Sequence, residues 1–192
     1  MNGIENKKKI FCDFDGVIVN TIATITSLYN EDFKYYKKFV PINWVDINTW
    51  DFAECNCASA DYINTYFNQQ RFFNQLEYMD WAKEILGELK ENYDITIVSS
   101  GYSPNLKAKE IWIKKNLSYC NFIGVNLKKY SDKSHIDMNG SIFIDDSSHN
   151  LETSNAELKI CFGDKYSWNE NWTGFRCSNW NDVYNLLKIF IL

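Results

Sequence analysis

The chain contains five short apolar runs that are rich in β-branched and aromatic residues. Continuous runs of this length are typical of strands buried on both faces of a sheet. Between them, apolar residues recur every three or four positions, which predicts helices. The predicted strands cover residues 10–12, 95–98, 122–125, 141–144 and 158–162, and the predicted helices cover 20–38, 59–70, 80–92, 104–116 and 181–192. This alternation predicts an α/β fold with a Rossmann-like three-layer core, in which helices cover both faces of a parallel sheet.

The predicted elements divide into a core and an insertion. Residues 20–77 hold two of the helices and a loop-rich stretch, and we expect them to form a small helical cap inserted after the first strand. Residues 1–19 and 78–192 then form the Rossmann-like core. Within the core, Ser103 is expected to cap a helix that has Pro104 at its first position.

Composition and charge narrow the class of protein. The chain has 192 residues, enough for one domain with a small insertion, and its aromatic share of 17% requires a substantial core. Its formal net charge of −5 argues against a nucleic-acid polymer as partner and favours a small phosphorylated molecule. No apolar run approaches the roughly 20 residues that span a bilayer, and no signal peptide is recognised. We expect a cytoplasmic protein with no membrane partner, either a monomer or a homodimer.

The six cysteines do not suggest a disulfide framework. Three of them, Cys12, Cys120 and Cys161, lie in or beside apolar runs, where a reduced thiol behaves as a small hydrophobe. Cys55 and Cys57 form a Cys-x-Cys pair that could bind metal or act as a redox pair. No cluster of cysteine and histidine accompanies this pair, so an ordinary structural role is favoured.

Polar side chains follow three of the apolar strands at the point where each strand ends. In an open parallel sheet, ligands bind at the carboxyl ends of the strands, so these side chains are expected to converge. Acidic residues gathered there repel one another unless a cation lies between them, and a hard ion such as Mg²⁺ takes oxygen ligands. Hydroxyl groups at the same edge would bind anionic oxygen. The residues are Asp13 and Asp15, then Ser99, Ser100 and Gly101, and then Asp145 and Asp146.

A phosphate bound at this edge also needs a positive charge. Lys133 lies in the chain between the hydroxyl-bearing strand and Asp145, which makes it the best candidate. Lys128 and Lys129 are close competitors. A strand followed by an acidic turn is the plainer interpretation of Asp13 to Gly16, and the later motifs are what favour a site.

This set of motifs resembles the haloacid dehalogenase superfamily of phosphotransferases. The resemblance rests on four motifs in the family's order, namely Asp13-Phe14-Asp15-Gly16-Val17, the strand ending at Ser99, Lys133, and Asp145-Asp146. It implies phosphoryl transfer through an aspartyl-phosphate, with Mg²⁺ as the cofactor. Asp13 would be the nucleophile and a metal ligand. Asp15 would be the acid and base, with its backbone carbonyl on the metal.

The same resemblance assigns the remaining residues. Ser99 would hydrogen-bond the transferred phosphoryl group, helped by Ser100 and nearby amides, including that of Gly101. Lys133 would neutralise the charge on the phosphate and the nucleophile. Asp145 would complete the metal site, and Asp146 would bind the metal through water or orient a ligand.

A closer resemblance is to the cytosolic 5′(3′)-deoxyribonucleotidases. It is carried by Phe72-Phe73, Leu76-Glu77, Lys109 and Trp112, Ile144-Asp145-Asp146, and the tail from Trp168 to Trp180. It implies a (deoxy)nucleoside 5′-monophosphate as the substrate. Trp44, Trp50 and Phe52 in the cap are candidates to stack on its base, although tryptophan and phenylalanine are more often core residues.

Two other functions stay open at this stage. One is a phosphatase for another small phosphorylated metabolite. The other is a catalytically idle protein that binds a phosphorylated ligand for regulation. The presence of both Asp13 and Asp15 favours an enzyme.

Overall fold

A computed structural model describes residues 7–191, apart from the side chains of residues 190 and 191. The outermost parts of the predicted core, residues 1–6 and 192, lie outside this range. The described strands are β1 (Lys8–Cys12), β2 (Tyr93–Gly101), β3 (Asn121–Asn126), β4 (Ile142–Asp145), β5 (Leu158–Phe162) and β6 (Phe175–Cys177). The helices are α1 (Thr21–Phe33), α2 (Ala60–Tyr66), α3 (Gln70–Gln75), α4 (Ala82–Leu89), α5 (Ser103–Asn116), α6 (Ser148–Thr153) and α7 (Trp180–Ile191).

The strands form one sheet in the order β3-β2-β1-β4-β5-β6, and every neighbouring pair is parallel. The predicted α/β fold with a parallel sheet is therefore confirmed. Five of its strands match the apolar runs. The sixth, β6, was not predicted, because its three residues form no continuous apolar run.

Alternate residues of the central strands enter two separate hydrophobic clusters. Ile10, Ile97 and Ile144 belong to the larger cluster, which includes residues of α1, α4, α5 and α7. Phe11 and Phe143 point to the other face and join a smaller cluster with residues of α6. Because side chains alternate along a strand, a run without polar residues covers both faces at once.

Several predicted boundaries were wrong. The first helix ends at Phe33 rather than at residue 38. The predicted helix 59–70 ends at Tyr66, and a separate helix that was not predicted, α3, begins at Gln70. Ser103 is the first helical residue rather than the cap, and the preceding Tyr102 makes no side-chain capping bond. The Ser103 hydroxyl instead accepts a bond of 3.0 Å from Asn126. The strand β2 continues to Gly101, because its last residues still pair with β3.

Residues 20–77, which lie between β1 and α4, contain α1, α2 and α3 together with two short 3₁₀ turns, Trp44–Asp46 and Phe52–Cys55. The ends of this segment meet where the backbone N–H of Asn20 donates to the carbonyl of Glu77 at 2.9 Å. Hydrogen bonds from the Ser167 backbone N–H to the Asn48 carbonyl and from the Asn105 amide to the Phe67 carbonyl are among those that join this segment to the rest of the chain. Among the described helices, none is long and apolar enough to cross a membrane.

Candidate active site

Three strand ends meet at the centre of the sheet. The strand β1 lies between β2 and β4, and an open sheet forms a crevice at the carboxyl ends of its strands where the strand order reverses. Asp13 follows β1 directly, Ser99 lies near the end of β2, and Asp145 ends β4. The backbone N–H of Asp13 donates to the carbonyl of Ile144 at 2.9 Å. This bond extends the pairing of β1 with β4 by one residue and fixes Asp13 beside Asp145.

The chain leaves the sheet in a tight turn at Gly16. The N–H groups of Ile18 and Val19 donate to the carbonyl of Phe14 at 3.0 and 3.1 Å. Gly16 has a φ of +72°, a conformation that residues with a side chain rarely adopt. A Cβ atom at this position would lie 2.9 Å from Oδ2 of Asp146. The turn therefore requires glycine both for its backbone conformation and for its close approach to an acidic side chain.

Asp13, Asp145 and Asp146 form a buried carboxylate cluster, with one oxygen of each within 4.8 Å of the others. Burial, followed by the neighbouring carboxylates, raises the pKa of Asp13 to about 7, although Lys133 opposes the shift. Burial and the same repulsion raise the pKa of Asp146 well above its usual range. A divalent cation would relieve this repulsion, and its preferred ligands are carboxylate oxygens. The donor set therefore fits Mg²⁺.

Lys133 contacts the carboxylate cluster from the loop between β3 and β4. Its Nζ lies 2.7 Å from Oδ1 of Asp13 and 2.6 Å from Oδ2 of Asp145, and its side chain is 1% exposed. Burial lowers the pKa of Lys133, but the two carboxylates outweigh burial and raise the pKa above its usual value. One ammonium group does not balance three carboxylates, which is a second reason why the cluster fits a cation. Lys128 and Lys129, the two competitors, are exposed.

Hydrogen bonds from outside the cluster orient two of its carboxylates. The Asn150 amide donates to Oδ1 of Asp145 at 3.1 Å, and the backbone N–H of Ser147 donates to the same oxygen at 2.8 Å. The indole N–H of Trp168 donates to Oδ2 of Asp146 at 2.9 Å. Such partners fix the direction in which a carboxylate presents its remaining lone pairs.

The Asp15 side chain has a different set of partners. The Thr21 hydroxyl donates to Oδ1 at 2.8 Å, and the Ser99 hydroxyl donates to Oδ2 at 3.2 Å. The ammonium group of Lys109 also contacts Oδ2. Among the described residues, the side-chain carboxylates that could hold one ion together do not include that of Asp15, whose expected contact with the metal is through its backbone carbonyl. Its carboxyl group is instead held beside Ser99.

A cavity of about 530 Å³ adjoins Asp15. This volume is within the range of pockets that bind small molecules. Ser100, Gly101 and Lys109 lie in its wall next to Asp15. The rest of the wall combines apolar and aromatic surfaces with side-chain amides, from Trp50, Asn64, Phe67, Asn68, Tyr102, Asn105 and Leu127. A ligand bound there would have one polar end near Asp15 and a larger part against the aromatic side chains.

The three candidates for base stacking have different positions. Trp50 lines the cavity and packs against Trp168, with ring centroids 5.1 Å apart. Trp44 lines a separate cavity of about 150 Å³. Phe52 is 1% exposed and belongs to the hydrophobic core. All six cysteines are free, including Cys55 and Cys57.

Sequence reasoning did not assign a role at the site to Lys109, Thr21, Asn150 or Trp168. The sequence pattern could have singled out Lys109, because this residue shares the buried face of α5 with Leu106 and Trp112, where a lysine is unusual. The contact of Trp168 with Asp146 joins residues that are 22 positions apart. Helix and strand periodicity do not predict a contact between residues so far apart in the chain.

Comparison with solved structures supports the fold. A predicted phosphatase from Clostridium acetobutylicum matches with a TM-score of 0.66 at 16% identity, over 98% of this chain and 100% of that one. A haloacid dehalogenase-like hydrolase from Streptococcus pneumoniae matches with a TM-score of 0.64 at 14% identity, over 94% of this chain and 98% of that one. A putative haloacid dehalogenase-type hydrolase from Bacillus subtilis, bound to magnesium, matches with a TM-score of 0.57 at 13% identity, over 95% and 99%.

Comparison at the level of sequence identifies the family. A search of curated proteins finds no match. The model of the family described as "5′ nucleotidase, deoxy (Pyrimidine), cytosolic type C protein" matches residues 7–191, nearly the whole chain. The chain therefore belongs to the cytosolic type C 5′-nucleotidase family, and its fold is that of the haloacid dehalogenase phosphatases.

Proposed function

We propose that this chain is a Mg²⁺-dependent phosphomonoester hydrolase that acts through an aspartyl-phosphate on (deoxy)nucleoside 5′-monophosphates. One observation carries the proposal: the carboxylate of Asp13 lies beside Asp145, Asp146 and Lys133, and the carboxyl group of Asp15 lies next to a cavity of about 530 Å³. Family membership supports the class of reaction. The aromatic lining of the cavity supports a nucleoside as the leaving group.

Each residue of the site has a distinct task in this proposal. Asp13 attacks phosphorus and forms the aspartyl-phosphate while the ester oxygen leaves. Asp15 gives that oxygen a proton and then takes a proton from the water that hydrolyses the intermediate. Ser99, Ser100 and Gly101 hold the transferred phosphoryl group. Lys133 offsets the negative charge on the nucleophile and on the phosphate.

Asp13, Asp145 and Asp146 would hold Mg²⁺, and the backbone carbonyl of Asp15 would be a further ligand. When bound, the ion offsets the repulsion between an anionic nucleophile and an anionic substrate. Trp168 and Asn150 keep the carboxylates in the orientation that such a site requires.

We also propose that residues 20–77 act as a cap over the core formed by 1–19 and 78–192. The cavity supports this division, because Trp50, Asn64, Phe67 and Asn68 line it from the inserted segment and Tyr102 and Asn105 line it from the core. A substrate between the two parts would be shielded from water, which protects a reactive intermediate. Of the three stacking candidates, Trp50 is the one that lines this cavity, and we therefore expect it to contact the base.

The first test is phosphate release from an aryl phosphate with and without Mg²⁺. We expect activity that depends on Mg²⁺ in the wild-type protein and a loss to background in Asp13→Asn. Asp61→Asn, an exposed carboxylate in α2, is the matched control and should keep full activity. If the wild type and Asp13→Asn were equally inactive, a regulatory phospholigand-binding role would be the better interpretation.

The second test compares deoxynucleoside 5′- and 3′-monophosphates, ribonucleotides and sugar phosphates. We expect the highest kcat/KM with a nucleoside 5′-monophosphate, and we expect Trp50→Ala to raise KM for that substrate more than for a sugar phosphate. A flat profile, or a preference for sugar phosphates, would reject the nucleotide assignment and leave a phosphatase for another metabolite. Since the family is described as cytosolic, we assign the activity to the cytosol.

A further inference from the structure

A second buried lysine lies on the Asp15 side of the site, apart from Lys133. The Lys109 side chain is 2% exposed, and its ammonium group contacts Oδ2 of Asp15. The same nitrogen lies 2.8 Å from the hydroxyl oxygen of Ser99 and 3.2 Å from the carbonyl oxygen of Ser100. All three contacts are made with the machinery proposed for proton transfer and phosphoryl binding.

Packing alone does not explain a lysine at this position. Lys109 lies on the face of α5 that also buries Leu106, Trp112 and Ile113, where an apolar side chain would suit the surroundings. Removing an ammonium group from water is costly, and a buried ion pair often contributes no more to stability than well-packed hydrophobic residues. The contacts of Lys109 with Asp15 and Ser99 point to a role in the chemistry.

We propose that Lys109 is a positioning residue that fixes the Asp15 carboxyl group for proton transfer to the leaving oxygen. This inference rests on the proposed phosphatase function. Thr21 binds one oxygen of Asp15 and Lys109 binds the other, so the carboxyl group is held at both ends. Without Lys109 the carboxyl group keeps only the hydrogen bonds from the Thr21 and Ser99 hydroxyls, and we expect it to turn away from the leaving group.

Lys109 should therefore matter most for substrates whose leaving oxygen needs a proton. An alkyl alkoxide, such as the 5′ oxygen of a nucleoside, is strongly basic and departs with a proton. A nitrophenolate departs without one. Because kcat/KM reports the steps up to the formation of the aspartyl-phosphate, its dependence on the leaving group isolates the first proton transfer from the later hydrolysis.

The experiment measures kcat/KM of Lys109→Met for a nucleoside 5′-monophosphate and for p-nitrophenyl phosphate, both at saturating Mg²⁺. We expect a loss of about 100-fold with the nucleotide and of less than about tenfold with the aryl ester, in line with the usual contribution of a general acid. Lys107→Met, in the same helix but exposed, is the matched control and should leave both values unchanged. In an Asp15→Asn background, Lys109→Met should not further change the ratio of the kcat/KM values for the two substrates.

Equal losses with both substrates would overturn the inference, because a structural or purely phosphate-binding role affects them alike. If Lys109→Met does not fold, Lys109→Gln is the second variant, because glutamine keeps a hydrogen-bond donor. It should show a smaller but still selective loss of kcat/KM with the nucleotide. An unchanged ratio of the kcat/KM values for the two substrates in this variant would also overturn the inference. A crystal structure of the folded variant should show the Asp15 carboxyl group rotated away from Ser99. If the wild-type protein were inactive on both esters, the proposed function itself would be rejected. If the wild type were active but the variant had the same ratio of kcat/KM values for the two substrates, only the role of Lys109 would be rejected.

Discussion

At the scale of single residues, the site contains positions that accept only one type of residue. Gly16 is the clearest case, because its φ of +72° and the 2.9 Å that would separate a Cβ atom from Oδ2 of Asp146 both exclude a side chain. The glycine is therefore part of the site although it supplies no functional group. A methyl group there would move either the turn that carries Asp15 or the Asp146 carboxylate.

We expect Gly16→Ala to abolish phosphatase activity and to destabilise the protein by about 1 to 3 kcal/mol, the usual cost of a strained backbone position. Urea unfolding and aryl phosphate turnover would measure the two effects. Gly87→Ala is the matched control, because Gly87 lies inside α4 and a Cβ there meets no atom within 4 Å. That variant should keep its activity and gain roughly 0.5 to 1 kcal/mol, since alanine is the better helix former.

Trp168 acts on Asp146 through a single hydrogen bond of 2.9 Å. Trp168→Phe keeps an aromatic ring but removes the N–H donor, so we expect the affinity for Mn²⁺ or Mg²⁺ to fall by about 10- to 100-fold. Electron paramagnetic resonance of Mn²⁺ binding measures this without turnover. Trp81→Phe makes the same chemical change at an exposed position and should bind the metal as the wild type does. Equal affinity in the two variants would contradict the role given to Trp168.

At the scale of secondary-structure elements, one ion pair and its neighbouring hydrogen bonds join helices α1, α2 and α3. Arg71 in α3 binds Asp32 in α1 through both of its terminal nitrogens, at 2.6 and 2.5 Å. The hydroxyl group of Tyr66 in α2 donates to the same carboxylate at 3.0 Å. Three helices therefore share one acidic side chain, and the hydrogen bonds from Arg71, ahead of those from Tyr66 and Tyr62, lower the pKa of Asp32.

A pKa lowered on folding stabilises the protein above the unfolded-state pKa, and this stability is lost as the pH falls through the folded-state pKa. We expect Asp32→Asn to reduce the free energy of unfolding by about 1 kcal/mol at neutral pH, because the pair is partly exposed to solvent. The difference from wild type should shrink when urea unfolding is repeated at about pH 3, below the usual pKa of an aspartate. Glu110→Gln, which breaks the exposed pair with Lys114, should change little at either pH.

The elements differ in how well the sequence predicts them, and the reason lies in their surroundings. A strand buried on both faces, such as β4, leaves a short apolar run. Five strands were predicted from runs of this kind, including β3, whose residues are mostly half-buried or exposed. The three residues of β6 leave no such run. The position of a helix end depends on which hydrogen bonds the residues near it make. Ser103, for example, lies within α5, and its hydroxyl accepts a hydrogen bond from the Asn126 side chain instead of capping the helix. Residues at the carboxyl ends of apolar strands, such as Asp13 and Asp145, could be placed at one edge because parallel strands share a direction.

The residues that complete the site are harder to predict, because the fold brings them together from distant positions. Lys109 is 94 positions from Asp15, and Trp50 packs against Trp168 from a distant part of the chain. Phe52, only two positions from Trp50, is buried instead. The local path of a short irregular segment therefore decides which aromatic residue faces the cavity, and that information is absent from a hydrophobic pattern.

At the scale of the whole molecule, folding concentrates negative charge at the centre of the sheet, and a bound cation should therefore stabilise the native state. A ligand that binds the folded state at 100 times its dissociation constant adds about 2.7 kcal/mol, which corresponds to a rise in Tm of roughly 5 to 10 °C for a chain of this size. We expect Mg²⁺ to raise the Tm of the wild type and chelation with EDTA to reverse the rise. Asp145→Asn should lose the effect, while Asp61→Asn should keep it.

The stabilisation of the native state by Mg²⁺ should increase with pH. Burial and the neighbouring carboxylates raise the pKa of Asp13, so without a cation this carboxyl group holds a proton to a higher pH than usual. A metal ligand must be deprotonated, and binding therefore releases protons and weakens as the pH falls. The Mg²⁺-induced rise in Tm should be larger at about pH 8 than at about pH 6, and calorimetry in buffers of different ionisation enthalpy should detect the released proton. A rise in Tm that is equal at both pH values would mean that the ion binds outside the carboxylate cluster.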